Sequence, residues 1–166
     1  MSKCYWITGL SASGKTTLST LLADYFRSTG RKVILLDGDE LRQVLADEAY
    51  TRQERIALGM RYSRLCQLIV SQDVDVIIAV IGLFKEIHEW NRCNISGYTE
   101  VFIDVPLDEL KMRDPKGLYS KYKSGKIKNV AGIDLKVDYP ENSDVYLKWT
   151  SGQSIKDMFR ELKQKI

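Results

Sequence analysis

Gly9-Leu10-Ser11-Ala12-Ser13-Gly14-Lys15-Thr16 spells G-x-x-x-x-G-K-[ST] near the start of the chain. The setting is what makes the pattern restrictive. An apolar run, Tyr5-Trp6-Ile7-Thr8, precedes it, and a helical pattern over residues 15–26 follows. Strand, glycine loop and helix in that order make a P-loop. The glycines let the backbone curl so that successive N–H groups converge on phosphate oxygens. The positive end of the helix adds to that attraction. Gly9, Ser11, Ala12, Ser13, Gly14, Lys15, Thr16 and Thr17 are therefore expected to hold ATP. Lys15 is expected to reach the β- and γ-phosphates, and the Thr16 hydroxyl to ligate Mg²⁺.

Strand-like and helix-like stretches alternate along the remainder. Residues 32–36 form a short apolar run that ends in Asp37-Gly38-Asp39, and residues 41–45 suit a short helix. Residues 52–71 carry a 3.6-residue apolar period. Residues 74–81 are almost all Val, Ile and Ala, which predicts a strand buried on both faces of a parallel sheet. A helix over 84–93 and a strand over 99–105 follow, and Pro106 fits the first turn of the next helix. A last strand over 145–149 and a helix over 154–166, capped by Ser154, close the pattern. This βαβα order predicts an α/β fold, a five-stranded parallel sheet with helices on both faces. The segment over about 114–141 is lysine-rich and too long for a connector, and predicts a lid over the phosphates.

The chain has 166 residues, which suits one domain over 1–166. A net charge of +3, from 25 basic and 22 acidic side chains, makes no case for nucleic acid as a partner. The longest apolar stretch, residues 74–84, is interrupted by Asp75 and Gly82 and is too short to cross a membrane. No cationic, apolar and cleavage-site leader precedes the first strand. Cys4, Cys66 and Cys93 form no metal or disulfide pattern. They are expected to be buried or half-buried thiols of a reduced, cytoplasmic protein.

Phosphoryl transfer asks for positioning, charge neutralisation and a group that takes the nucleophile's proton. Asp37 and Asp39 end the second strand, on the edge where open α/β sheets bind ligands. Asp37 is expected to hold Mg²⁺ through water and Asp39 to accept a hydroxyl proton, with helix capping as a further role for Asp39. Arg42, Arg52, Arg55 and Arg61 offer guanidinium forks for phosphate or sulfate. His88, the single histidine, is expected on a helix surface and is given no catalytic role.

With these residues in place the chain resembles the adenylylsulfate (APS) kinase family. The matching blocks are Trp6-Ile7-Thr8-Gly9-Leu10-Ser11 with Gly14-Lys15-Thr16-Thr17, Leu36-Asp37-Gly38-Asp39 with Arg42, and Glu100-Val101-Phe102-Ile103-Asp104-Val105-Pro106-Leu107. Arg113-Asp114-Pro115-Lys116-Gly117-Leu118-Tyr119 and Gly132-Ile133-Asp134 continue the match. The resemblance implies transfer of the γ-phosphoryl of ATP to the 3′-hydroxyl of APS or of an APS-like 5′-capped nucleotide. It implies Asp39 as base, Lys15 and Lys116 as charge stabilisers, and Arg42 and Arg55 as substrate contacts. The acceptor would lie among Asp37, Asp39, Arg42, Tyr50, Arg55, Ile81, Gly82, Phe84, Lys116 and Val130, with Tyr50 near the position of a base-stacking aromatic. Relatives are often dimers, so a homodimer is an expectation, although the extension that usually precedes the first strand is absent here.

The departures fall on the acceptor side. Ile81-Gly82-Leu83-Phe84-Lys85 stands where the family reads Ile-Ser-Pro-aromatic-Arg. Leu58 replaces an asparagine of the long helix, and Val130 replaces a stacking phenylalanine of the lid. Ala46-Asp47-Glu48 stands, one residue short, for Asn-Arg-Asp. Losing one stacking ring costs about 1–3 kcal/mol, and a smaller pyrimidine asks for less stacking area. The resemblance implies cytidine diphosphoramidate, an acceptor of kinases in this similarity group, as the alternative. A small-metabolite kinase, a nucleoside monophosphate kinase and a non-catalytic ATP-binding module are the other readings.

Overall fold

The computed structural model describes residues 2–166. Among them the strands are β1 (Cys4–Thr8), β2 (Val33–Asp37), β3 (Asp75–Val80), β4 (Tyr98–Asp104) and β5 (Val145–Lys148). They form one parallel sheet in the order β2-β3-β1-β4-β5. In the middle, Tyr5 of β1 stands between Ile77 of β3 and Thr99 of β4. Every residue of β1 and β3 is buried, as their unbroken apolar runs require when both faces are covered. At the edge, β5 alternates buried and exposed positions. The helices are α1 (Lys15–Ser28), α2 (Gly38–Leu45), α3 (Arg52–Val70), α4 (Lys85–Asn94), α5 (Leu107–Arg113), α6 (Leu118–Lys123) and α7 (Ile155–Lys165). α1 packs with α7 on one face of the sheet, and α3 with α4 on the other. Each fully buried Ile or Leu in these layers contributes about 1.5–3 kcal/mol. The expected Ser154 cap is present and reciprocal: its hydroxyl accepts from the Asp157 amide while the Asp157 carboxylate accepts from the Ser154 amide.

The chain leaves β1 for β2, two places away, and later returns to place β4 on the opposite side of β1. Strand order therefore diverges at β1, and a crevice opens beyond its carboxyl end, next to those of β2 and β3.

Four expectations change. The helix after β2 begins at Gly38 rather than Leu41, because Asp37 caps it by accepting from the Asp39 amide. Asp39 is thus inside the first turn and is not the cap. The lid segment contains α6 and buried side chains, including Tyr119, Val130 and Leu135. Asp114 organises its first part by accepting from the Tyr119 and Ser120 amides, at 3.1 and 2.9 Å. His88 is buried: it lies on the inward face of α4 with Ile87 and Asn91, and its Nε2 is 2.6 Å from the Gly82 carbonyl oxygen. Cys4 and Cys66 are buried as expected, whereas Cys93 is exposed because it sits on the outward side of the last turn of α4.

Candidate active site

The P-loop joins β1 to α1. Thr8, the last residue of β1, donates its hydroxyl hydrogen to the Ile81 carbonyl and ties the loop to the end of β3. Gly14 takes φ 95° just ahead of α1, a conformation open to glycine at little cost. A Cβ on Gly9 would lie 2.8 Å from the Ile103 carbonyl oxygen, so only glycine lets the loop lie this close to β4. Ala12 is held at φ 68°, a strained conformation for a residue with a Cβ. The Lys15 ammonium folds back and donates to the Leu10 carbonyl at 2.8 Å. Burial, with Lys116 nearby, pushes Lys15 down to about 8.

Across the crevice, Asp37 and Asp39 occupy the cap and first turn of α2. Asp37 accepts from the Thr16 hydroxyl at 2.7 Å and from the Asp39 amide at 2.9 Å. Asp39 pairs with Lys116, which arrives from the lid 77 residues later. Both members of that pair are about 60% exposed, so the pair adds little to stability and separates readily.

Between these walls lies a cavity of about 430 Å³. Ser11, Ala12, Gly14, Lys15, Thr16 and Thr17 form one side of it. Asp37, Asp39, Arg42, Arg55 and Lys116 bring charge, and Ile81, Gly82 and Phe84 form the far end. Arg42 donates to the Ala49 carbonyl at 3.0 Å, and Arg55 to the carbonyls of Tyr50 and Asn129 at 3.1 and 2.9 Å. Neither guanidinium has a carboxylate partner within ion-pairing distance among the described residues. Burial, with Arg42 beside it, lowers the pKa of Arg55. Two guanidinium groups held by main-chain oxygens leave a positive field in the cavity that an anion would neutralise.

Several sequence candidates lie elsewhere. Gly9 and Ser13 shape the loop without forming the cavity surface. Tyr50 is 54% exposed in the turn before α3, and Val130 is buried in the lid; neither reaches the cavity wall. Arg52 pairs with Glu86 and with Asp138 of the lid, and Arg61 with Asp47, so both are engaged away from the cavity.

The sequence reading missed part of the wall. Trp6, Gly59 and Tyr62 line it beside Leu58, which the sequence had already placed on the acceptor side, and Leu58, Gly59 and Tyr62 continue the face of α3 that begins at Arg55. Helical spacing of 3 and 4 residues from Arg55 was the available signal. A second cavity, about 260 Å³, shares Ala12, Gly14, Thr17 and Pro115 with the first and extends to Arg113, Trp149 and Gln153. There the Arg113 guanidinium lies 5.1 Å from the centre of the Trp149 ring and donates to the Ala12 carbonyl.

Comparison with known proteins gives a consistent result. The sequence profile described as adenylylsulphate kinase matches residues 1–148. The cytidine diphosphoramidate kinase of Campylobacter jejuni is 40% identical over 136 residues, covering 82% of this chain and 80% of that protein. The adenylyl-sulfate kinase of Picosynechococcus is 33% identical over 162 residues, covering 97% and 91%. Among solved structures, the Mycobacterium tuberculosis APS kinase in complex with AMPPNP and APS superposes with a TM-score of 0.90 at 32% identity, covering 99% and 96%. The fold agrees with these matches, and the chain belongs to the adenylylsulphate kinase family.

Proposed function

We propose that this protein transfers the γ-phosphoryl group of ATP to the 3′-hydroxyl of a nucleotide whose 5′-phosphate carries a cap, with APS or a close analogue as acceptor. The observation that carries the reading is one cavity holding Lys15, Thr16 and the Asp39–Lys116 pair at one end and two carboxylate-free guanidiniums at the other. In this reading the loop amides and Lys15 bind the triphosphate. The second cavity, beside Arg113 and Trp149, takes the donor's base. Arg42 and Arg55 bind the capped 5′ end of the acceptor, which turns its ribose toward Asp39. Lys116 exchanges its carboxylate partner for the arriving phosphates, and Asp39 is then free to take the 3′-hydroxyl proton. Closure of the lid excludes water, so that ATP is not simply hydrolysed.

The donor set also suits Mg²⁺. Thr16 and Asp37 present hard oxygen ligands 2.7 Å apart. Among the described residues no group of three or more His, Cys, Asp or Glu could hold a metal ion. An ion that keeps its waters and shares ligands with substrate phosphates fits such a site. Thr16 and Asp37 would hold it, and it would neutralise charge on the β- and γ-phosphates.

A second acceptor has support of its own. Leu58, Gly59 and Gly82 make the far wall apolar, and the 40% identity to a cytidine diphosphoramidate kinase favours a phosphoramidate-capped cytidine there. The test is acceptor-dependent ADP release from Mg–ATP with APS and with cytidine diphosphoramidate. Turnover of either supports the kinase reading. ATP binding without acceptor-dependent release from any capped nucleotide contradicts it.

A further inference from the structure

The loop between β3 and α4 makes the far end of the cavity, where Ile81, Gly82 and Phe84 line it. Local restraints on this loop are weak. Gly82 is at φ 44°, and Phe84, at the cap position of α4, gives the helix no side-chain hydrogen bond. The first amides of a helix then need a partner from elsewhere. Asp138, 53 residues beyond Lys85 near the end of the lid segment, supplies one: its Oδ2 accepts from the Lys85 amide at 3.1 Å. A carboxylate at that end also suits the helix dipole. The Asp138 amide in turn donates to the Leu83 carbonyl at 2.8 Å. One residue thus holds the main chain on both sides of Phe84.

Arg52, the first residue of α3, joins Asp138 to Phe84. Its guanidinium donates to the same Oδ2 at 2.6 Å, and to the two carboxylate oxygens of Glu86, in the first turn of α4, at 3.0 and 3.3 Å. The guanidinium carbon lies 5.4 Å from the centre of the Phe84 ring. A planar fork can serve two carboxylates and an aromatic ring together, which an ammonium cannot. The Arg52, Asp138 and Glu86 side chains are 34%, 27% and 51% exposed, so their ion pairs contribute little to overall stability. What the cluster fixes is geometry: α3, the β3–α4 loop and the end of the lid converge on one guanidinium. Arg52 itself does not line the cavity, whereas Phe84 does.

We propose that Arg52 is a positioning residue for the acceptor: through Asp138 and Phe84 it sets the loop that forms the acceptor end of the cavity, without touching the substrate. The proposal rests on the kinase reading above, which gives this end to the acceptor, and extends that site to a residue outside the cavity. The phosphate loop is tied to this region by the Thr8–Ile81 bond, ahead of the segment that Asp138 holds, so donor binding should not feel the loss.

Arg52→Met keeps the length of the side chain and a good helix former, and removes both ion pairs and the charge over the ring. Steady-state kinetics of the full-length protein would use Mg–ATP with APS and, separately, with cytidine diphosphoramidate. For each acceptor that wild type phosphorylates, KM should rise about five- to twentyfold in the variant. KM for ATP, and kcat at saturating acceptor, should stay within about twofold of wild type. The melting temperature should stay within about 3 °C. Arg52→Lys keeps a cation for one carboxylate and should recover part of the acceptor KM. Asp138→Asn should raise the same constant, and the double variant Arg52→Met with Asp138→Asn should lose less than the product of the two single losses, because both act through one contact. An unchanged acceptor KM in Arg52→Met, KM values for ATP and acceptor that rise together, a lowered melting temperature with parallel losses, or independent effects in the double variant would overturn the role of Arg52 and leave the kinase reading standing. No turnover of either acceptor by wild type overturns both.

Discussion

The two ends of the 430 Å³ cavity are built in different ways. The donor end is a continuous stretch, residues 9–17, in which main-chain amides, Lys15 and the Thr16 hydroxyl are set by local turns and the start of α1. The acceptor end gathers Trp6 from β1, Arg42 from α2, Arg55 and Tyr62 from α3, and Gly82 and Phe84 from the loop after β3. A phosphate cradle made of backbone is indifferent to most side chains around it and tolerates little change in its own geometry. A wall assembled from four elements can change one residue at a time without disturbing the fold. Within one family, then, the acceptor can vary while the donor stays the same, and the departures Leu58 and Gly82 stand on the varying wall.

Substitutions should separate the two ends. The largest effect belongs to the residue between them. Asp39→Asn should lower kcat by about 10²–10⁴-fold with either acceptor while ATP binding, measured by calorimetry, stays near wild type. A near-normal kcat would remove Asp39 from its role and blur the boundary between the ends. Next comes the acceptor end alone. Arg55→Ala removes charge-assisted contacts worth about 1.5–3 kcal/mol, so KM for the acceptor should rise about 10–100-fold with KM for ATP unchanged. If steady-state kinetics show the two constants rising together, Arg55 serves both ends. A smaller effect is expected on the donor side. Arg113→Ala removes the guanidinium that braces Trp149 beside the second cavity and should raise KM for ATP by a few-fold, with KM for the acceptor unmoved.

The smallest effect concerns the lid that covers both ends. Partial burial pulls Asp114, Asp134 and Asp138 upward. The Ser120 hydroxyl at Asp114, the Asn129 and Val130 amides at Asp134, and the Lys85 amide with Arg52 at Asp138 outweigh it and hold all three below the usual carboxylate value. A carboxylate depressed in the folded state stabilises at pH above its unfolded value, about 3.9, and that contribution fades as pH falls through the folded value. Lid anchoring should thus be constant at neutral pH and weaken below about pH 4. Hydrogen exchange of residues 114–138 read against the β1 amides should show the lid losing protection first; simultaneous loss would mean that these carboxylates do not control it.

The same contrast explains what could be read from sequence. The donor loop was legible because its residues are contiguous and its conformation is local, and the central strands because burial on both faces writes an unbroken apolar run. Asp37 and Asp39 were legible as a pair, yet their division of labour was not: Gly38 is a poor helix former, and the Asp37 cap overrides that preference. α6 went unseen because Lys121 and Lys123 make its last turn read as solvated surface, while Asp114 supplies its start from outside the helix. His88 read as surface because its neighbours Glu86 and Glu89 are exposed; its burial depends on the Gly82 carbonyl, a tertiary contact. Tyr50 and Val130 were placed by resemblance, and in this structure they lie outside the cavity wall. Tyr62 was passed over because one aromatic on an amphipathic helix looks like core, and it is 5% exposed even though it borders the cavity.

The central claim is a single transfer between the two ends, past Asp39. Phosphorus NMR of the products from Mg–ATP with APS and, separately, with cytidine diphosphoramidate tests it most directly. The account predicts one new phosphomonoester resonance coupled to a ribose 3′ proton, growing in step with ADP. Inorganic phosphate as the sole product, or a new phosphate on the cap or on another hydroxyl, would contradict it.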